Sequence, residues 1–177
     1  MLQNPSRQFS RSFLTLIKST VESASSPQSF SVTRTLPHSP AVLYNVVSNV
    51  DLYCKFVPYC VESYVTERDA NKQPVKATLK VGWNSYEESF ESELKCNQPY
   101  TVVAQSHHSL FETLYTRWRI IPQAQQSTSK VTLDIKFAFS NPLYNAVSAT
   151  FAPRVTTIMI EAFEARMAQL QQNALQE

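Results

Sequence analysis

The sequence predicts an α+β domain in which a curled antiparallel sheet wraps one long C-terminal helix, with an apolar cavity between them. Three observations predict it. Successive segments between Val61 and Phe139 alternate apolar and polar residues with the period of two of a half-buried strand. From Val155 to Leu170 the apolar residues recur at helical spacing instead. The chain of 177 residues is 43% hydrophobic and 11% aromatic with only 17% charged residues, enough apolar surface to exclude a mainly disordered protein.

The elements follow in order. Phe30 to Leu36 alternates as a short strand, and Ser39-Pro40 is a helix start, with serine at the N-cap and proline at the first helical position. Leu43, Val46, Val47 and Val50 follow at helical spacing, and Asp51 to Phe56 adds a short helix that Pro58 stops. Val61, Ser63 and Val65 share a face of the next strand, which ends near Arg68-Asp69. Val75, Ala77, Leu79, Val81 and Trp83 share a face of the one after it. Tyr86, Glu88, Phe90, Ser92 and Leu94 line a third, Tyr100, Val102 and Ala104 a fourth. Leu114, Thr116, Trp118 and Ile120 belong to the fifth, opposite Arg117 and Arg119. Val131, Leu133, Ile135, Phe137 and Phe139 belong to the sixth. Short polar turns join them, as in a meander with one apolar and one wet face. Gly82, the single glycine, marks a bulge or bend in its strand. Pro153 either starts the last helix or kinks it away from a shorter one beginning near Pro142.

Composition also limits function. One glycine cannot build a Walker loop or a dinucleotide fingerprint. The net charge of +2 sits in residues 1–29, where Arg7, Arg11 and Lys18 face only Glu22, so the body is neutral and nucleic acid is not an expected partner. Cys54, Cys60 and Cys96 form no CxxC pair and suit free thiols in a reducing compartment. His38 and His107-His108 lie in a loop and at a strand end, with no nucleophile elbow and no HExxH pattern, so no catalytic or metal residue is assigned.

Residues 1–21 are acid-free, basic and serine-rich, with Phe9, Phe13, Leu16 and Ile17 on one helical face. That is the composition of a mitochondrial transit peptide, assigned to 1–29. The folded domain is expected over 30–172, with a tail at 173–177. The longest uncharged stretch, Phe137 to Pro153, is interrupted by Asn141, Pro142 and Asn145 and lacks the ~18 apolar residues of a membrane span. Glu88 falls by alternation on the inward face. It reaches water near the strand end, or is turned outward by a bulge that shifts the register, or anchors a polar ligand head.

A resemblance rests on five stretches in fixed order. They are Tyr53-Cys54-Lys55-Phe56-Val57-Pro58-Tyr59-Cys60, then Ala77 to Trp83, and Leu110-Phe111 with Leu114 to Ile120. Phe137-Ala138-Phe139-Ser140 and Ala162-Phe163-Glu164-Ala165-Arg166 complete them. From about Phe30 to Leu170 the chain resembles the mitochondrial coenzyme Q-binding proteins of the START-like (polyketide cyclase/lipid transport) superfamily. Tyr59 and Ile120 stand where relatives often carry Trp and Phe. The resemblance implies a helix-grip fold that holds ubiquinone as ligand, without a catalytic cofactor or a known reaction. It implies support of respiration and ubiquinone biosynthesis, with peripheral contact at the matrix side of the mitochondrial inner membrane. Respiratory complexes or ubiquinone-synthesising enzymes are its implied protein partners. Bacterial relatives that act as ribosome-association toxins, and cyclases on the same scaffold, are the alternatives.

On this reading the ligand wall comprises Leu79, Val81, Trp83, Glu88, Phe90, Phe111, Leu114, Trp118, Phe137, Phe139, Val155, Met159 and Phe163. The mouth, which docks on the membrane, comprises Phe56, Val57, Pro58 and Tyr59, together with Leu143, Tyr144, Val147 and Phe151.

Overall fold

The structure is a computed structural model that describes residues 27–83, 86–124 and 127–174, apart from the side chains of Trp83, Tyr86, 142–153 and 173–174. Strand β1 (Gln28–Leu36) leads into helix α1 (Pro40–Ser48) and a short 3-10 helix (Val50–Lys55). Six strands follow: β2 (Cys60–Arg68), β3 (Pro74–Trp83), β4 (Tyr86–Asn97), β5 (Thr101–His108), β6 (Phe111–Pro122) and β7 (Ser129–Phe139). Helix α2 (Pro142–Ala174) closes the chain. All seven strands form one antiparallel sheet in the order β1-β7-β6-β5-β4-β3-β2. The meander from β2 to β7 is the one the alternation predicts. β1 completes it by pairing with β7, from Gln28 opposite Phe137 to Leu36 opposite Ser129. This strand begins two residues ahead of Phe30. The segment predicted as a transit peptide otherwise lies outside the described residues.

Helix α1 starts where the sequence places it, with Ser39 at the N-cap and Pro40 at the first position. The Ser39 hydroxyl makes no capping bond; its carbonyl accepts the Leu43 amide at 3.2 Å instead. Leu43, Tyr44, Val46 and Val47 bury one face of α1 against the sheet and α2. The glycine-free turn after β2 is held by Asp69, whose Oδ1 accepts the amides of Asn71 at 2.9 Å and Gln73 at 2.8 Å. The last helix is a single one from Pro142 to Ala174, with Pro153 inside it and neither of the predicted breaks.

Two bulges correct the period-two reading. The β3–β4 ladder runs without a shift through Gly82, opposite Glu87. The irregularity lies instead in β2, between Cys60 and Glu62. It turns Cys60 inward and leaves Val61 49% exposed, so Val61 leaves the face it was expected to share with Ser63 and Val65. Across that bulge Gly82 donates its amide to the Tyr59 carbonyl at 2.9 Å. A second bulge, in β6 between Phe111 and Thr113, puts Phe111 on the same face as Leu114, against strict alternation.

On the wet face Asp134 accepts from Ser31 at 2.7 Å and from Arg117 and Arg119 at 3.0–3.1 Å, tying together β1, β7 and β6. Partial burial pushes its pKa up, but those donors outweigh it and hold the carboxyl below the usual range. No helix among the described residues is long and apolar enough to cross a membrane.

Candidate functional site

The inner face of the sheet is not evenly filled. Its registers align Ala77, Ser92, Ser106, Leu114 and Phe137 in one row across β3 to β7, and Leu94, Ala104, Thr116 and Ile135 in the next. Small side chains therefore cluster at the middle strands, where helix α2 crosses over a concave sheet. Neither layer fills the space between them, and a cavity of about 390 Å³ remains. That lies in the range of small-molecule sites, roughly 300–1,000 Å³.

Large residues surround the hollow. At one end the Phe163 ring of α2 meets Trp118 at 4.6 Å, Tyr53 at 5.1 Å and Phe56 at 5.0 Å. At the other, Phe90 meets Phe111 at 5.5 Å, Phe111 meets Phe139 at 5.0 Å, and Phe139 meets Phe137 at 5.7 Å. Aliphatic walls include Leu79, Val81, Leu133, Ile135, Val155 and Met159. The opening is marked by the lining residues that reach solvent: Pro58, Tyr59 at 52% exposure and Val155 at 38%.

Tyr59 has φ 64°, a left-handed conformation that a bulky residue adopts only under constraint, costing on the order of 1 kcal/mol. The constraint is the Gly82 amide on its carbonyl, and it sets the Tyr59 side chain at the rim.

The chemistry of the lining is sparse. No Asp, Glu, Lys, Arg or His stands among the described residues that form it. Its polar groups are Ser92, Thr116, Thr156, the Cys60 thiol and the hydroxyls of Tyr53 and Tyr59. Burial pushes the Cys60 thiol up, so it stays protonated near neutral pH. Burial also raises Tyr53, whose hydroxyl is occupied in donating to the Val47 carbonyl. No cluster of metal-ligating residues occurs among the described residues. Such a lining supports apolar contact and hydroxyl hydrogen bonds.

Of the residues assigned to the ligand wall, all but two line this cavity: Leu79, Val81, Phe90, Phe111, Leu114, Trp118, Phe137, Phe139, Val155, Met159 and Phe163. The Trp83 side chain lies outside the description. Glu88 pairs with Val81 beyond Phe90, half-buried, and is not in the lining. Of the mouth residues, Val57, Pro58 and Tyr59 border the cavity.

Phe56 does not. One 3-10 turn after Tyr53 it falls on the same side, 5.7 Å from that ring, with the Arg166 guanidinium carbon 5.9 Å from the centroid of the Phe56 ring. It belongs to the packing behind the cavity. Leu143, Tyr144, Val147 and Phe151 fall on the first part of α2, among side chains outside the description. Selection by size overlooks the small residues Ala77, Ser92, Ala104 and Thr116, although each shares a face with the chosen aromatics. A run of small residues at alternating positions between large ones is the signal that finds them.

The family model described as polyketide cyclase / dehydrase and lipid transport matches residues 36–164. The mitochondrial coenzyme Q-binding protein of Eremothecium gossypii is 39% identical over 140 residues, 75% of this chain and 69% of that one. Its counterpart in Schizosaccharomyces pombe is 36% identical over 137 residues, 76% of this chain and 83% of that one. A ribosome association toxin of Pseudomonas aeruginosa is 25% identical over 135 residues, 76% and 92% of the two chains. Among solved structures, a START superfamily protein from Mycobacterium smegmatis superposes with a TM-score of 0.71 at 17% identity, over 80% of this chain and 98% of that one. The Zhui aromatase/cyclase from Streptomyces sp. R1128 superposes with a TM-score of 0.69 at 12% identity, over 81% and 95%. At these identities the two structures establish the helix-grip fold.

Proposed function

We propose, because this chain belongs to the polyketide cyclase/dehydrase and lipid transport family and within it to the mitochondrial coenzyme Q-binding proteins, that its cavity holds ubiquinone and that the protein carries it. The observation that carries this reading is the apolar cavity between sheet and helix, lined without a carboxylate, lysine, arginine or histidine among the described residues.

The physics suits a carrier. Each CH₂ of an isoprenoid tail exposed to water costs roughly 0.8 kcal/mol, so a free tail does not cross water. Transfer from a bilayer to a dry protein cavity exchanges one apolar surrounding for another. The hydrophobic contribution nearly cancels, binding rests on the head group, and release stays reversible. A cavity of about 390 Å³ admits the ring and the first part of the tail. The remainder leaves through the opening at Pro58, Tyr59 and Val155, which therefore faces the bilayer during loading.

The cell biology of this reading follows the family and the basic, acid-free N-terminus. A transit peptide over 1–29 delivers the domain to the mitochondrial matrix, where it works at the inner membrane in support of respiration and ubiquinone synthesis. A cyclase activity requires convergent acid and base groups, and among the described lining residues no carboxylate, lysine or histidine supplies one.

The test is mass spectrometry of lipid extracted from the full chain purified from a ubiquinone-producing bacterium, with an unrelated protein as control. Near-stoichiometric ubiquinone is expected. Another enriched lipid corrects the ligand, and failure of both extraction and direct titration leaves a protein-interaction module of the ribosome-association type as the better account.

Membrane contact has its own test. Tyr59→Asp puts a charge at the exposed rim, where a side chain 52% exposed contributes little to the core, so the far-ultraviolet circular dichroism spectrum should not change. Sedimentation with liposomes is expected to fall several-fold. Undiminished sedimentation would remove this rim as the docking surface.

A further inference from the structure

Three hydroxyls stand near the middle of the inner sheet face, and they differ in one respect. Ser106 is committed: its Oγ donates to the Glu91 carbonyl at 2.7 Å. Ser92 and Thr116 line the cavity, and neither has a hydrogen-bond partner among the described residues, although Ser92 is only 6% exposed. Ser92 is buried and Thr116 half-buried, so each hydroxyl faces the apolar void with its hydrogen-bonding capacity open to whatever enters it. The two are set apart in a definite way. Ser92 on β4 pairs with Ser106 on β5, and Thr116 on β6 pairs with Ala104, so the hydroxyls lie two strands apart and one step along the face. With strands about 4.8 Å apart and a rise of about 3.3 Å per residue, their Cα atoms are about 12 Å apart, and the concave curl draws the side chains inward from that figure. The two oxygens of a para-quinone lie about 5 Å apart, and a hydrogen bond of about 2.8 Å at each end makes a span of about 11 Å.

We infer that Ser92 and Thr116 are the seat of the ligand's ring, one hydroxyl for each ring oxygen, and that this seat holds the oxidised and reduced forms alike. The inference rests on the ubiquinone reading and adds to it the position and redox selectivity of the head. A hydroxyl donates as readily as it accepts, so each meets a quinone carbonyl as donor and a quinol hydroxyl as acceptor. No carboxylate, lysine, arginine or histidine in the described lining favours either form, and the Cys60 thiol there is held protonated by burial. Ligand reduced or oxidised elsewhere is then carried without a change of protein state.

The experiment titrates the full chain, wild type and the Ser92→Ala and Thr116→Val variants, with three probes: a short-tail ubiquinone, its quinol, and an isoprenoid hydrocarbon lacking the ring. Both substitutions keep side-chain shape, and circular dichroism checks folding. Each variant is expected to lose about 3- to 10-fold in quinone affinity, the worth of one hydrogen bond, with hydrocarbon affinity unchanged. Wild type is expected to bind quinone and quinol within tenfold, which is a potential shift under about 30 mV for a two-electron couple. Quinone affinity unchanged in both variants places the ring elsewhere and overturns the seat. An equal loss for quinone and hydrocarbon overturns it too, since the residues then act only through cavity shape. A quinone-to-quinol ratio beyond tenfold overturns the redox neutrality. Wild type that binds the hydrocarbon but not the quinone overturns the functional reading itself, an outcome distinct from the others because it needs no variant.

Discussion

Ala104→Phe is expected to abolish ubiquinone binding, by about 100-fold or more, in a protein that melts no lower than wild type. Ala104 lies on β5 between Leu94 and Thr116, and its methyl group faces the void from the middle of the sheet. A phenyl ring added there enters the space that a ligand needs. Enlarging a residue in a filled core costs about 1–3 kcal/mol in strain, but here no side chain has to move. The ring buries apolar surface instead, and filling a cavity commonly adds about 0.5–2 kcal/mol of stability. A loss of 100-fold corresponds to about 2.7 kcal/mol of binding.

Two measurements decide it, quinone titration and thermal melting, with Val103→Phe as control. Val103 is the next residue on the same strand but points to the wet face, between Lys95 and Arg117, so its enlargement should leave binding unchanged. Wild-type affinity in Ala104→Phe would mean that the ligand does not lie between β5 and α2.

That experiment depends on residues a reading by size passes over, and the reason is physical. Alternation identifies which residues face inward, and it does so correctly for β3, for most of β4 and for β7, because a one-residue slip would put a whole apolar face in water. It does not report whether the inward space is full. Phe90 and Phe137 are conspicuous as single residues. Ala77, Ser92, Ala104 and Thr116 become informative only when the registers set them side by side. Alternation also fails at bulges, since a single extra residue reverses every position beyond it. Val61 is expected inside and is exposed, while Phe111 is brought inside by a bulge that no glycine marks.

Phe56 is a different case. A 3-10 turn repeats every three residues, so the residue expected at the apolar mouth faces back toward Phe163. The β1–β7 pairing is invisible to local pattern for another reason. The two strands are about a hundred residues apart, and only the folded sheet, with α2 packed against both, brings them together.

Phe163→Ala is expected to be the most destabilising single substitution in the domain. The side chain is 1% exposed and is the point at which α2, the 3-10 helix and β6 meet, through Trp118, Tyr53 and Phe56. Removing a buried phenyl ring costs about 3–5 kcal/mol, partly in lost burial and partly for the void left behind. For a domain of this size each kcal/mol lowers the melting temperature by about 2–4 °C, so a fall of about 10 °C or more is expected. Phe163→Leu keeps most of the volume and should cost well under half as much. Phe56→Ala combined with Phe163→Ala should cost less than the two separately, because the rings touch each other and the first deletion already removes their shared contact.

The void at Phe163 would also open into the ligand cavity, whose lining already includes this ring. Added ubiquinone should therefore raise the melting temperature of the variant as well as that of wild type, since any ligand bound only to the folded state stabilises it. A melting temperature within about 3 °C of wild type in the ligand-free Phe163→Ala protein would mean that this cluster does not hold α2 on the sheet, and that the walls of the cavity are set by contacts elsewhere along the helix.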